Sequence, residues 1–139
     1  MDLKIARMLM TLESEYPSLQ DVYFYKAVET KNVLAIVVGQ GDMARFLSYG
    51  GKILKELRTN LRKRIRILEH GTTDRKFLED LFAPLSIITI NRIWLPDGST
   101  ETRVILRKRG RKTPQINVDA LKEIAKTLRG LTLRVEFTR

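Results

Sequence analysis

Residues 33–69 read VLAIVVGQGDMARFLSYGGKILKELRTNLRKRIRILE, and the rest of the chain is organised around them. Leu34 to Val38 is an almost unbroken apolar run, the pattern of a strand buried on both faces. Gly39-Gln40-Gly41-Asp42 breaks it, and Asp42 is placed to cap a short helix from Met43 to Leu47. Ser48-Tyr49-Gly50-Gly51 interrupts that helix, and a second one is expected from about Lys52 to Arg62. At roughly 100° per residue, Ile53, Leu54, Leu57 and Leu61 fall on one side of it and Lys52, Lys55, Arg58 and Arg62 on another. One side is core and the other is a basic stripe. Arg64 to Leu68 then alternates as a strand with a basic outer face.

Working outward, Ile5, Met8, Leu9 and Leu12 share one face of a helix over 3–14 that ends before Pro17. Residues 20–28 (QDVYFYKAV) are β-prone, and 29–32 is a polar turn that makes a hairpin with the apolar strand. On the other side, His70-Gly71-Thr72 is the natural boundary, giving one segment of 1–71 and another of 72–139. Thr72 or Thr73 can cap a helix through Asp80, with Phe77, Leu78, Leu81 and Phe82 inward and Pro84 as its stop. Residues 86–95 form a strand, Pro96-Asp97-Gly98-Ser99 a turn, and 102–107 the returning strand. A basic loop follows over 107–115. Asn117 can cap a helix from Val118 to Arg129 that Gly130 closes, and 131–137 is the last strand.

The same order of elements therefore occurs twice. The turns at 29–32 and 96–99 are 67 residues apart, and ILKEL at 53–57 returns as ALKEI at 120–124 with the same offset. A shared register over half the chain points to a tandem repeat. The predicted core comprises Leu9, Leu12, Ile36, Val38, Leu54, Leu57, Ile67, Phe77, Leu81, Ile88, Ile90, Leu121, Ile124 and Val135. Met8, Met10 and Met43 are also expected to pack inside.

Composition narrows the function. The net charge is +10, but residues 1–44 carry −2 and residues 45–139 carry +12, so the basic field begins at Arg45. A localised basic field favours a polyanion, with nucleic acid ahead of a membrane surface. There is no cysteine, which removes disulfides, thiol nucleophiles and thiolate metal sites. No apolar run approaches the roughly 20 residues of a membrane span, and the start, MDLKIARMLM, lacks the pattern of a signal peptide. A cytoplasmic location is expected. The acids are scattered without a pair suited to acid/base chemistry, so no enzyme activity, metal, cofactor or small-molecule substrate is expected.

Residues 33–69 resemble the K-homology (KH) RNA-binding module. The whole chain resembles the archaeal NusA-like transcription termination factors, which consist of two such modules, and KFLEDLFAPLSI at 76–87 resembles the join between them. The resemblance implies an α+β fold of two tandem type II KH domains, each a three-stranded mixed sheet with helices on one face. It implies a GxxG loop that clamps about four nucleotides of single-stranded RNA by their backbone. Ser48 stands at the first glycine, Tyr49 and Gly50 are the variable positions, and Gly51 is the second glycine. Small residues there let phosphates approach the main chain, and the next helix presents the positive end of its dipole. With no basic residue in the loop, Arg45 and Lys52 are expected to supply charge, Lys55, Arg58 and Arg62 to extend it, and Tyr49 to stack on a base or sugar. The second copy reads Gln115-Ile116-Asn117-Val118 in that slot, without glycine. Its basic cluster, Arg107, Lys108, Arg109, Arg111 and Lys112, is expected to grip phosphate non-specifically.

Other signals are weaker. Gly39-x-Gly41-x-x-Ala44 matches a dinucleotide fingerprint, but its helix breaks at Ser48. Gly51-Lys52 lacks the first glycine and the Ser/Thr of a P-loop. His70, the single histidine, reads as a surface or strand-end residue. The expected function is contact with nascent RNA in termination or elongation, with RNA polymerase as a further partner. The alternatives are a KH protein of ribosome assembly or RNA processing, and a protein-interaction scaffold whose RNA loops have decayed.

Overall fold

The computed structural model describes residues 3–47, 51–108 and 116–138. The chain is α+β and divides into two compact units, 1–72 and 73–139. In the first unit, helix α1 (Leu3–Glu15) and a short 3-10 helix (Pro17–Asp21) lead into strands β1 (Phe24–Glu29) and β2 (Val33–Val38). Helices α2 (Met43–Leu47) and α3 (Lys52–Leu61) and strand β3 (Arg64–Glu69) follow. The second unit holds α4 (Asp74–Phe82), β4 (Ile87–Trp94), β5 (Thr100–Leu106), α5 (Val118–Arg129) and β6 (Leu133–Phe137).

Each unit has one three-stranded mixed sheet, ordered β1-β2-β3 and β4-β5-β6. In both, a hairpin pairs the first two strands antiparallel and a crossover brings the third parallel to the middle one. A parallel pair needs a long connection. In the first unit it consists of α2, the 48–51 segment and α3; in the second it ends in α5. The order of elements expected from the repeat is thus present in both halves.

Local chemistry accounts for the element ends. Thr73 caps α4 by accepting from the Lys76 amide at 3.2 Å, and Asn117 caps α5 by accepting from the Ala120 amide at 3.0 Å. Gly130 closes α5 at φ 65°, a left-handed conformation in which a Cβ would be strained. The 3-10 helix takes the first part of the segment read as a strand from residue 20, so β1 starts only at Phe24. Pro17 favours that helical turn because its fixed φ suits a first helical position.

All six residues of β2 are buried, as its apolar run required. In the first unit, Leu34, Ile36, Val38, Ile65 and Ile67 of the sheet form a cluster with Ile5, Leu9, Leu12, Phe46, Ile53 and Leu57 of the helices. In the second unit, Phe77, Leu78, Leu81, Phe82, Val104, Leu106, Leu121, Ile124 and Leu133 are buried, and α4 packs on α5 and β4.

Several core expectations need correction. Ile88 is 40% exposed and Met10 is 67% exposed. Ile88 is the extra residue of a β-bulge between Ile87 and Thr89, and a bulge turns its unpaired residue away from the alternation that pattern-reading assumes. Met10 faces outward from α1, one residue beyond buried Leu9. Leu54, Ile90 and Val135 are only half-buried, while Leu78 and Phe82 are fully enclosed. No helix among the described residues is long and apolar enough to cross a membrane.

Leu57 is completely buried against the first sheet. Leu57→Ala is expected to lower stability by about 2–5 kcal/mol, read as a shift of the urea midpoint at constant slope.

Candidate nucleic-acid interface

The crossover of the first unit carries its basic residues to one side. The turn at Arg62–Lys63 reverses the chain, so α3 runs antiparallel to β3 and its first residues lie at the end of the sheet where β3 finishes. Arg62 takes a left-handed conformation, φ 55°, and its amide donates to the Arg58 carbonyl at 2.8 Å. Lys63 then anchors the turn by donating to the Thr30 carbonyl and pairing with Glu29. At the other end, Glu69 accepts from the amides of Gly41 at 2.7 Å and Met43 at 3.3 Å. It thereby meets the donors at the start of α2 that were expected to fall to Asp42. The Asp42 carboxylate instead accepts from the Tyr23 amide at 3.0 Å.

Lys52, Lys55, Arg58 and Arg62 are all exposed. Among the described residues none of the four is in an ion pair. The stripe has two flanks. Lys52 and Lys55 line a shallow cavity of about 280 Å³ with Tyr16, Glu56, Thr59 and Asn60, where the Tyr16 hydroxyl donates to Glu56 at 3.0 Å. Arg58 lies toward β3, an edge strand, and there it meets a feature that the sequence reading did not single out. Arg64 and Arg66 alternate with buried Ile65 and Ile67 along β3, so both guanidiniums leave the sheet on one face. Arg66 is half-buried beside Ala35. Its Nε is enclosed without a hydrogen-bond partner among the described residues. Burial, with the positive charges of Arg64 and Arg58 beside it, pulls the Arg66 guanidinium below its usual value. An alternating basic strand after a basic helix was the available signal. What the sequence could not supply was the depth of Arg66.

Gly51 precedes α3 at φ 79°, and nothing lies within 4 Å of the position a Cβ would take there. The first amides of α3 therefore receive no side-chain cap from residue 51. Arg45, expected to supply charge beside the loop, lies 3.4 Å from Asp21 and 3.9 Å from Asp42. Ser48, Tyr49 and Gly50 lie outside the described residues, as do Arg109, Arg111 and Lys112 of the second basic cluster. Arg107 and Lys108 are described and exposed, their amides held by the Ser86 carbonyl and the Thr138 hydroxyl. Among the described residues no group of three His, Cys, Asp or Glu side chains could hold a metal ion.

No protein-family model and no curated protein matches the sequence. A similar solved structure is the crystal structure of APE1850, with a TM-score of 0.63 and 20% sequence identity over 99% of this chain and 100% of that one. At that identity the likeness is one of fold.

Gly51 tests the conformational demand in front of α3. Gly51→Ala is expected to cost about 1–2 kcal/mol, because an L-residue is strained at this φ. Gly51→Asn should cost less, since Asn tolerates the left-handed region. Urea unfolding of the two variants measures the difference.

Proposed function

We propose that the protein is a non-enzymatic, single-stranded RNA-binding factor built from two tandem type II KH domains, 1–71 and 72–139. One observation carries the RNA-binding reading: Arg66 is half-buried, feels the charges of Arg64 and Arg58, and has its Nε unpartnered among the described residues. Like charges so placed repel one another, and removal from water adds to the cost. A chain of phosphates along the β3 edge would offset both and supply the missing acceptor. The exposed stripe of Lys52, Lys55 and Arg62 and the start of α3, which Gly51 does not cap, extend that anion-binding surface. The hairpin-and-crossover topology in each unit fits the KH expectation. The role in transcript termination or elongation follows from the resemblance to NusA-like factors, and pull-down against RNA polymerase and against ribosomal subunits tests it.

The double variant Lys52→Glu, Lys55→Glu is expected to abolish binding to single-stranded RNA in a fluorescence titration at moderate salt. Unchanged affinity would refute the reading. For the unmodified protein, log K should fall with log salt at a slope of about −0.7 per phosphate neutralised.

Arg66→Met separates function from stability. The apolar stem is retained and the poorly solvated charge is lost, so the melting temperature should hold or rise. RNA affinity should fall about tenfold or more, as for loss of a charge-assisted hydrogen bond.

A further inference from the structure

Away from the basic stripe, the first unit carries a column of three aromatic rings that its core does not use. Tyr23 is 63% and Tyr25 46% exposed, and His70 is exposed. The Tyr25 and His70 rings are stacked, 3.8 Å between centroids and 7° between planes, and Tyr23 leans on Tyr25 at 4.6 Å and 56°. Isolated exposed aromatics are ordinary, but three in contact form an apolar patch with a defined shape.

The fold builds this column deliberately. Tyr25 is the extra residue of a bulge in β1: Phe24 pairs with Val38 and Lys26 with Val37, leaving Tyr25 without a partner. A bulge re-aims the side chain it carries. Here it sends Tyr25 to His70, just past the end of β3, where the His70 amide donates to the Val38 carbonyl at 2.7 Å. Tyr23 is fixed at both backbone groups, its amide by Asp42 at 3.0 Å and its carbonyl by the Gly39 amide at 2.9 Å. The backbones are pinned and the rings are left out. The second unit has a bulge near the start of its own hairpin, but its extra residue is Ile88, so the column belongs to the first unit alone.

We infer that the column is a stacking platform for a base of single-stranded nucleic acid. This inference rests on the RNA-binding reading and adds to it a contact with a base. The near-parallel Tyr25–His70 pair is spaced much as successive bases are, about 3.4 Å apart, so a base can continue the stack on these exposed rings. Every base has such a face, and aromatic side chains use it without reading sequence. The position is also appropriate. Glu69, which precedes His70, ties the end of β3 to Gly41 and Met43 at the start of α2, and α3 begins at the same end of the sheet. A strand whose phosphates follow α3 thus runs toward the end of the sheet that carries the rings. The nearby carboxylates of Asp42 and Glu69 are engaged by backbone amides. Gly71 has no side chain, and a Cβ there would come within 3.1 Å of the Gln40 side-chain nitrogen. An amide able to meet a base edge therefore lies next to His70.

The test titrates the full chain with two probes: an adenylate decamer, and a decamer of the same ribose–phosphate backbone without bases. The wild-type protein is expected to prefer the first by roughly 5- to 150-fold, the range for one stacked base. Tyr25→Ala with His70→Ala should remove that preference while leaving affinity for the base-free backbone unchanged. Tyr25→Phe with His70→Phe should retain it. A 2-aminopurine placed in the decamer should be quenched by the wild type and the Phe variant and not by the Ala variant. Far-UV circular dichroism of the Ala variant should match the wild type. Wild-type preference that survives in the Ala variant overturns the platform while the RNA-binding reading stands, and points to a protein-facing or packing role for the rings. Equal affinity of the wild type for both probes overturns it in the same way. Failure of the wild type to bind either probe removes both readings together.

Discussion

The parallel pairing of β2 with β3 is the constraint on which the first unit depends. All six β2 residues are buried, so β2 must be the middle strand, with β1 on one side and β3 on the other. Two parallel neighbours cannot be joined by a tight turn, and the connection has to cross the face of the sheet. That connection is α2, the glycine-bearing segment and α3. Its apolar stripe covers the sheet through Phe46, Ile53 and Leu57. The opposite stripe must then face water, and it is there that Lys52, Lys55, Arg58 and Arg62 lie. The same hydrophobic demand that closes the core thus aims the basic face outward.

The second consequence concerns β3. As the last strand of a three-stranded sheet it has an open edge, and edges invite unwanted pairing unless they are charged or covered. Arg64 and Arg66 supply the charge. Arg66, however, goes beyond what protection of an edge requires, since it is half-buried beside two other guanidiniums with its Nε unpartnered. Such an arrangement is costly in the free protein, because burial removes the charge from water and like charges repel.

The two units share topology and differ in what their hairpins and crossovers carry. Both have a bulge in the first strand, yet one presents Tyr25 to His70 and the other leaves Ile88 in solvent. The crossover of the first unit holds two described helices and that of the second holds one. The outer face of the second sheet carries an ordered set of ion pairs, Arg103 with Glu136 and Arg134 with Glu101. Its positive charge is therefore partly spent within the sheet, whereas the stripe on α3 is in no ion pair among the described residues.

Much of this architecture was legible in the sequence because it depends on local chemistry. The apolar run 34–38, the two-sided pattern of α3, the caps at Thr73 and Asn117, the closing Gly130 and the repeat register each involve residues a few positions apart, or the same motif recurring. The exposed basic stripe follows from that periodicity as well. The tertiary structure decided what depends on distant partners. Pairing with β2 buried Arg66 beside Ala35; Asp21, 24 positions upstream of Arg45 in the sequence, met that residue's charge; and Glu69 took over the start of α2 from Asp42. Bulges turned Ile88 out of the core and Tyr25 toward His70. Periodicity along a chain reports which face a residue occupies, but the groups that await it there are set by strand pairing and by where the crossover returns.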